Sequence, residues 1–436
     1  MLIGFKFENF SSYKNENVMS LLASNIKEQK SNVFKVRKME LLKFISIYGK
    51  NASGKSNVFK ALKFMKSFIF DTTKLDSTSK IEVNNYKLST ESQAKPTSFE
   101  VAFIIDDIIY KYGFKIFNNE VIEEWLEQNV KRFTTLFYRS SSDGEGIKIG
   151  NSFKEGKDVP KNQIRKNGLF LPIVAVFNGK IANKILQWFK NVNIISGDKL
   201  FEDITINLGK EKEFKEKIVS FLKTADLGIE NYKIEEKELP NEMKEKIGKI
   251  FELENKNGEF KTLSVRTSHS TYNEDYEKVG EELFDMNEFE SEGTKKFFAL
   301  AGPLLDTLKN GKILFIDELD SKLHPLMVKF IIDHFNSEWK NSNNAQLIIN
   351  THNTNLLRNN ILRRDQIWFV EKNKYGESEL YSLDEYKDEE RNKKVRNDES
   401  FEKNYLLGKY GAIPRLYEEY RLFDEFPFLD GEKNGK

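Results

Sequence analysis

Eight residues, Gly49-Lys50-Asn51-Ala52-Ser53-Gly54-Lys55-Ser56, fit the pattern G-x-x-x-x-G-K-[ST] and have the chemistry to cradle a phosphate. The two glycines let the backbone curl until successive N–H groups point inward at phosphate oxygens. Lys55 is spaced to reach the β- and γ-phosphates, and the Ser56 hydroxyl to ligate Mg²⁺. A second group of candidates lies far along the chain. Lys312-Ile313-Leu314-Phe315-Ile316-Asp317-Glu318 is an apolar run ending in two acids. Asp317 suits a metal held through water, and Glu318 suits a group that orients or deprotonates an attacking water. An ordinary core strand running into a surface turn looks the same; the phosphate loop in the same chain favours the metal reading.

Two further segments complete the set. Gln346-Leu347-Ile348-Ile349-Asn350-Thr351-His352-Asn353 is another apolar run with a polar end, where His352 could contact a γ-phosphate. Glu290-Ser291-Glu292-Gly293-Thr294-Lys295-Lys296 opens a helix, and a Ser-x-Gly turn there makes a second anion site. The same turn also makes a helix cap. One chain cannot easily bring both loops to the same phosphates, so two chains facing head to tail are expected, the loop of one over the ATP of the other.

These residues need elements to carry them. Residues 44 to 48 read as a short buried strand. Val58, Ala61, Leu62, Met65 and Phe68 recur at helical spacing, so strand, glycine turn and helix follow in the order the phosphate loop requires. A first strand is expected over 2–8, a turn at 9–12 and a second extended segment over 18–22; the polar stretch 23–40 reads as loop. Residues 98–105, 108–116, 121–130 and 134–139 alternate as strands of an antiparallel layer. From about 160 the period turns helical: 168–188, 210–225 and 241–250 read as helices. Residues 250–253 and 263–266, with a turn at Asn257-Gly258, read as a hairpin leading back. A helix is expected from 297 to 308 and another up to 335.

The bulk composition narrows the function classes. With 69 lysines and arginines against 68 aspartates and glutamates, the net charge of +1 does not mark a general nucleic-acid or membrane binder. The absence of cysteine excludes disulfides, thiolate metal sites and cysteine nucleophiles. The four histidines are scattered without zinc spacing. No run reaches the length of a membrane span, and the N-terminus alternates like a strand, so a cytoplasmic protein without a membrane partner is expected.

The order of phosphate loop, insertion, Ser-x-Gly-Thr, Asp317-Glu318-Leu319-Asp320-Ser321 and Thr351-His352-Asn353 resembles the ABC-type ATPase heads of SMC and RecF proteins and of the coiled-coil repair ATPases. Phe7-Glu8-Asn9-Phe10-Ser11 and the variant loop running into Asn57 point the same way. Within that group the sequence resembles the RloA/AbiL-like ATPases of bacterial anti-phage systems, and is similar to the AriA ATPase of PARIS and the OLD ATPase head. Segments 367–372, 379–383 and 405–414 share in this resemblance. It implies an α/β P-loop ABC-type head with an antiparallel β subdomain and a mostly helical insertion. The parts are 1–159, the N-terminal head; 160–250, the insertion; and 251–436, the C-terminal head. It implies ATP and Mg²⁺ as cofactors. Gly49, Asn51, Ala52, Ser53, Gly54, Lys55, Ser56 and Asn57 would bind phosphates, with Ser56 and Asp317 on the metal. Glu318 would be the base, Ser291 and Gly293 would contact the partner chain's nucleotide, Asp320 would lie at the dimer seam, and His352 would sense the γ-phosphate. The family's Q-loop glutamine has no firm counterpart; Gln128 is a candidate. The Ser-Glu-Gly-Thr-Lys signature lacks the second glycine of the transporter form.

The resemblance implies a slow ATPase that dimerises on ATP as the sensor of an abortive-infection system. About 80 residues follow His352, short for a further domain of typical size. A separate effector, such as a TOPRIM or RloB-type nuclease, and a phage-encoded trigger are therefore expected. The alternative is a RecF/SMC-like repair or recombination ATPase; nucleic acid stays open as a partner. The insertion carries no sustained heptads, which argues against the coiled-coil repair type.

Overall fold

A computed structural model describes residues 1–141, 146–161, 164–196, 202–238, 261–358, 360–387 and 394–414. Its centre is a six-stranded sheet in the order Val192–Ser196, Ile313–Asp317, Gln346–Asn350, Phe44–Tyr48, Ile367–Lys372 and Ser378–Ser382. The first five run parallel and the last is antiparallel to its neighbour. The four inner strands are buried over most of their length and are largely apolar, whereas the edge strands Val192–Ser196 and Ser378–Ser382 are only partly covered. Successive side chains then serve opposite layers. Ile45 and Ile47 join one core with Phe315, Ile348 and Val370. Phe44 and Tyr48 join the other with Leu314, Ile316 and Ile349.

The first core is closed by a seven-stranded antiparallel sheet, ordered Ile147–Ile149, Phe133–Ser140, Glu120–Asn129, Ile108–Phe117, Thr97–Ile105, Leu2–Glu8 and Asn17–Ser20. The helix Lys55–Asp71 contributes Val58, Ala61, Leu62, Met65 and Phe68 to that core, the spacing read from the sequence. The second core takes the helices Glu292–Asn310 and Pro325–Asn336. Gln346 joins the two sheets. Its Oε1 accepts from Leu2 N at 2.6 Å, and its Nε2 donates to Leu2 O at 3.0 Å and Leu42 O at 3.2 Å. A side-chain amide thus pairs the first strand as a neighbouring backbone would. Gln346→Leu should cost roughly 1–3 kcal/mol for each backbone group it leaves unpaired, read as a lowered midpoint in thermal denaturation without nucleotide.

The structure adds strands where the sequence read loop or helix. Residues 23–40 hold Val33–Val36, paired with Met39–Leu42 in a small hairpin. The span 160–250 carries helices Phe170–Val176, Lys180–Lys190, Glu202–Leu208 and Lys212–Lys223. It also supplies Val192–Ser196 to the central sheet and Ile229–Glu238 to a three-stranded sheet with Lys261–Tyr272 and Lys278–Asp285. The expected helix over 168–188 is two helices because Asn178, with φ 63°, and Gly179 break it. The segment 241–250 and the first arm of the 250–266 hairpin lie outside the described residues; 263–266 belong to Lys261–Tyr272. No described helix is long and apolar enough to cross a membrane.

Candidate nucleotide-binding site

The P-loop leaves the C-terminal end of Phe44–Tyr48 and enters the helix at Lys55. Its outer wall is built from both ends of the chain. Ser378 Oγ lies 2.5 Å from Ser53 O and 2.8 Å from Ser12 Oγ. Tyr13 OH donates to Gly54 O at 3.2 Å, and Asn57 Nδ2 to Ser12 Oγ at 2.9 Å. This close bracing fixes the two glycines. A Cβ at Gly49 would stand 2.5 Å from Val370 O and 2.7 Å from Ser53 Oγ. Gly54 has φ 114°, and a Cβ there would meet Ser378 Oγ at 2.6 Å and Ser12 Oγ at 2.7 Å. Asn51 and Ala52 stand exposed at the turn, Ala52 with φ 59°.

The buried Lys55 turns its ammonium onto Gly49 O at 2.8 Å and Lys50 O at 3.2 Å. Desolvation lowers its pKa, while the charges of Glu318, Asp317 and Asp320 act to raise it. Ser56 Oγ donates to Asp317 Oδ1 at 3.0 Å, so two hard oxygen ligands converge from residues 261 positions apart. The same Asp317 oxygen accepts from the Nδ2 of fully buried Asn350, whose Oδ1 accepts from Glu318 N. Glu318 is exposed, with φ 58°. A left-handed non-glycine residue beside a metal-type carboxylate is where backbone strain gathers in functional sites.

Asp320 and His352 close the far side: His352 N donates to Asp320 Oδ2 at 3.0 Å. Partial desolvation first, and the Lys55 ammonium second, hold the His352 imidazole below its ordinary value; Asp320 and Glu318 oppose them. Ser53 Oγ and Asp320 Oδ1 are buried without a hydrogen-bond partner among the described residues. A glycine-walled cradle, orphaned oxygens, one lysine and a paired Ser–Asp fit a nucleotide phosphate with Mg²⁺.

Ser291 and Gly293 open the helix beside the acidic strand end. Ser291 caps the helix Glu292–Asn310 by accepting from Thr294 N at 3.1 Å. Gly293 lies against Lys322 O, 2.8 Å from where a Cβ would sit. Among the described residues, no hydrogen bond joins either residue to the P-loop. Lys296, one turn on, ties this helix to the acidic strand end, donating to Glu318 O at 3.0 Å and Ser321 O at 2.6 Å. Gln128 sits in Glu120–Asn129, in register with Tyr110 and Thr134. Sequence reasoning did not single out Asn350, Ser12 or Ser378. The signal for Asn350 was its place: a polar residue closing the apolar run Leu347-Ile348-Ile349. Ser12 and Ser378 carried none, since a serine in a turn or at a strand start is ordinary.

The fold and this geometry define a P-loop ATPase domain, with one strand between the strand that feeds the phosphate loop and the strand that ends in Asp317. Residues 44–358 match the family model described as "AAA domain, putative AbiEii toxin, Type IV TA system", and the chain belongs to that family. Among solved structures it is similar to the SMC head domain from Thermotoga maritima, at 14% identity over 87% of this chain and 98% of that one, with a TM-score of 0.38. It is also similar to the Smc head domain bound to the C-terminal domain of ScpA, derived from Pyrococcus furiosus. The identity there is 15% over 87% and 96% of the two chains, with a TM-score of 0.38. A third similar structure is the Smc head domain with a coiled coil and joint from Pyrococcus yayanosii, at 12% over 88% and 97%, TM-score 0.38. No curated protein sequence matches the chain.

Proposed function

We propose that this protein binds and hydrolyses ATP as the sensor and switch of a bacterial anti-phage, abortive-infection system. The observation that carries the ATPase reading is the 3.0 Å contact of Ser56 with Asp317, beside Lys55 and Glu318. The family description, a toxin of a type IV toxin–antitoxin system, supports the defensive role and a second protein under control. In this reading Gly49 to Asn57 bind the phosphates and Lys55 neutralises them. Ser56 and Asp317 hold Mg²⁺, which when bound offsets charge on the phosphate oxygens. Glu318 orients the attacking water and takes its proton. His352 touches the γ-phosphate. Ser291 and Gly293 reach the nucleotide of a second head, with Asp320 at the seam. Neither Ser291 nor Gly293 hydrogen-bonds the P-loop of its own chain among the described residues, which leaves them to serve a second head.

The switch follows from differential affinity. ATP closes two heads only to the extent that it binds the closed pair more tightly than the open one. A phage-encoded trigger shifts that balance and releases a separate effector, of the TOPRIM or RloB nuclease type. Slow hydrolysis suits such a timer.

The test is purification from the native gene cluster, with the wild type beside Lys55→Ala. The expected result is a stoichiometric neighbouring protein retained by the wild type and lost from the variant. A homo-oligomer without a neighbour, whose ATPase rises with DNA ends, would replace this reading with a repair ATPase.

A further inference from the structure

Two loops of the molecule share one construction. In the first, Asn373 N donates to Glu377 O at 2.9 Å; its Oδ1 accepts from Tyr375 N at 2.9 Å and Glu377 N at 3.0 Å. In the second, Asn273 N donates to Glu277 O at 3.0 Å; its Oδ1 accepts from Asp275 N at 3.1 Å and Glu277 N at 2.8 Å. Each loop has a left-handed fourth residue, Gly376 with φ 81° and Tyr276 with φ 60°. Glycine is what that seat favours, and a bulky side chain there is held at a conformational cost. Tyr276 recovers little of it within its own chain, since it is 89% exposed. Tyr272 and Val279, at the two strand ends, are exposed as well. Around them stand Glu274, Asp275 and Glu277, all exposed, while Lys278 is paired with Glu281 at 3.1 Å. The tip of this hairpin is thus a rigid, acidic mount for an aromatic ring.

The same chain carries a surface of the opposite kind. A groove of about 460 Å³ runs between the end of the helix Lys55–Asp71 and the helix Lys180–Lys190. Phe70 and Leu186 give it an apolar floor, and Lys180, Lys184, Lys190 and Gln187 line its rim, with no acid among the lining residues. Lys184 is engaged by Asp106 at 2.6 Å; Lys180 and Lys190 have no ion pair among the described residues.

We infer that the Tyr276 hairpin tip of one molecule docks in the Lys180–Lys190 groove of a second copy of this chain. The ring lies on Phe70 and Leu186, and the acids face Lys180 and Lys190. Tip and groove are different surfaces, so the contact is heterologous and each copy keeps one of each free, which builds rings or longer assemblies. A hairpin tip buries less than a stable stand-alone interface needs, so the contact is weak alone and gains strength where another contact already joins the molecules. Docking bears on the Ser291 loop, because Lys278–Asp285 runs into the short helix Met286–Phe289 before it, and His269 Nε2 contacts Glu290 Oε1 at 2.7 Å.

Sedimentation velocity on the full chain, with and without ATP and at low and high salt, tests this. The wild type should self-associate, more weakly at high salt. Tyr276→Gly suits the left-handed seat and should leave the thermal midpoint unchanged or higher, yet weaken association at least about tenfold. Lys180→Glu with Lys190→Glu should do the same. Mixed with Glu274→Lys, Asp275→Lys, that groove variant should recover an association neither shows alone. A wild type that stays monomeric in every condition, a Tyr276→Gly that associates like the wild type, or mixed charge reversals without recovery would each overturn the proposal. Hydrolysis is not needed for any of these readouts.

Discussion

Lys55→Ala should weaken binding of Mg²⁺-ATP by about 10²–10³-fold while leaving the empty protein folded. The Lys55 side chain is buried and, among the described residues, its ammonium donates to two loop carbonyls, Gly49 O and Lys50 O. Desolvation lowers its pKa, so burying the charge already costs the fold something. Alanine removes that cost together with two modest hydrogen bonds, and the midpoint without nucleotide should hardly move. Phosphate binding loses the buried cation of the loop, a loss of about 2–5 kcal/mol for a charge left unpaired. The measurement is a thermal shift titrated with Mg²⁺-ATP. The wild type should gain about 2.7 kcal/mol at a hundredfold excess over its dissociation constant. A variant that gains as much would show that the phosphates do not sit in this loop.

Glu318→Gln should separate binding from turnover. The Glu318 backbone N–H, not its side chain, holds Asn350. The Ser56–Asp317 pair is untouched by the change, so nucleotide and metal binding should persist. Hydrolysis should fall by about 10²–10⁴-fold if the carboxylate takes the proton of the attacking water. Heads that close on ATP and cannot hydrolyse it should stay closed. Light scattering with ATP should then report at least twice the 51.0 kDa of one chain and a larger mass than with ADP under the same salt. Lost hydrolysis in a variant that stays monomeric with ATP would leave the catalytic role standing and end the composite-site reading.

The legible parts of the fold are those where one periodicity runs unbroken. Phe44–Tyr48, Ile313–Asp317 and Gln346–Asn350 are largely apolar because both faces are covered; the first leads into the phosphate loop, and the other two end at Asp317 and Asn350. The antiparallel strands between 97 and 140 are set off by turns at Asp106-Asp107 and Asn118-Asn119, all four left-handed, although register shifts at Lys115/Ile116 and Leu126/Glu127 break their alternation. The edge strand Val192–Ser196 was hidden because it follows directly on the helix Lys180–Lys190 and is too short to set its own period. Its identity is tertiary: it exists because Ile313–Asp317 offers a free edge. Within the site, the loop residues, the acids and His352 announce themselves by type and spacing. Ser12 and Ser378 do not, since their part is set by contacts that no local pattern encodes, while Asn350 shows only as a polar end to an apolar run. The strained seat of Tyr276 was equally silent until its twin at Gly376 could be set beside it.

The bracing of the P-loop from both ends of the chain bears on how the protein is made. Ser53 and the Ser378 that pins its carbonyl are 325 residues apart, and Leu2 waits for Gln346, 344 residues later. During synthesis at about 5–20 residues per second, the phosphate loop emerges roughly 15–65 s before its outer wall does. For that time the strand Phe44–Tyr48 has neither of its sheet neighbours, Gln346–Asn350 and Ile367–Lys372. The half-made chain thus exposes an apolar parallel strand with two open edges, a template for mispairing. Folding is expected to be slow, late and dependent on chaperones, and a ribosome stalled before residue 346 would hold a chain unable to form the site.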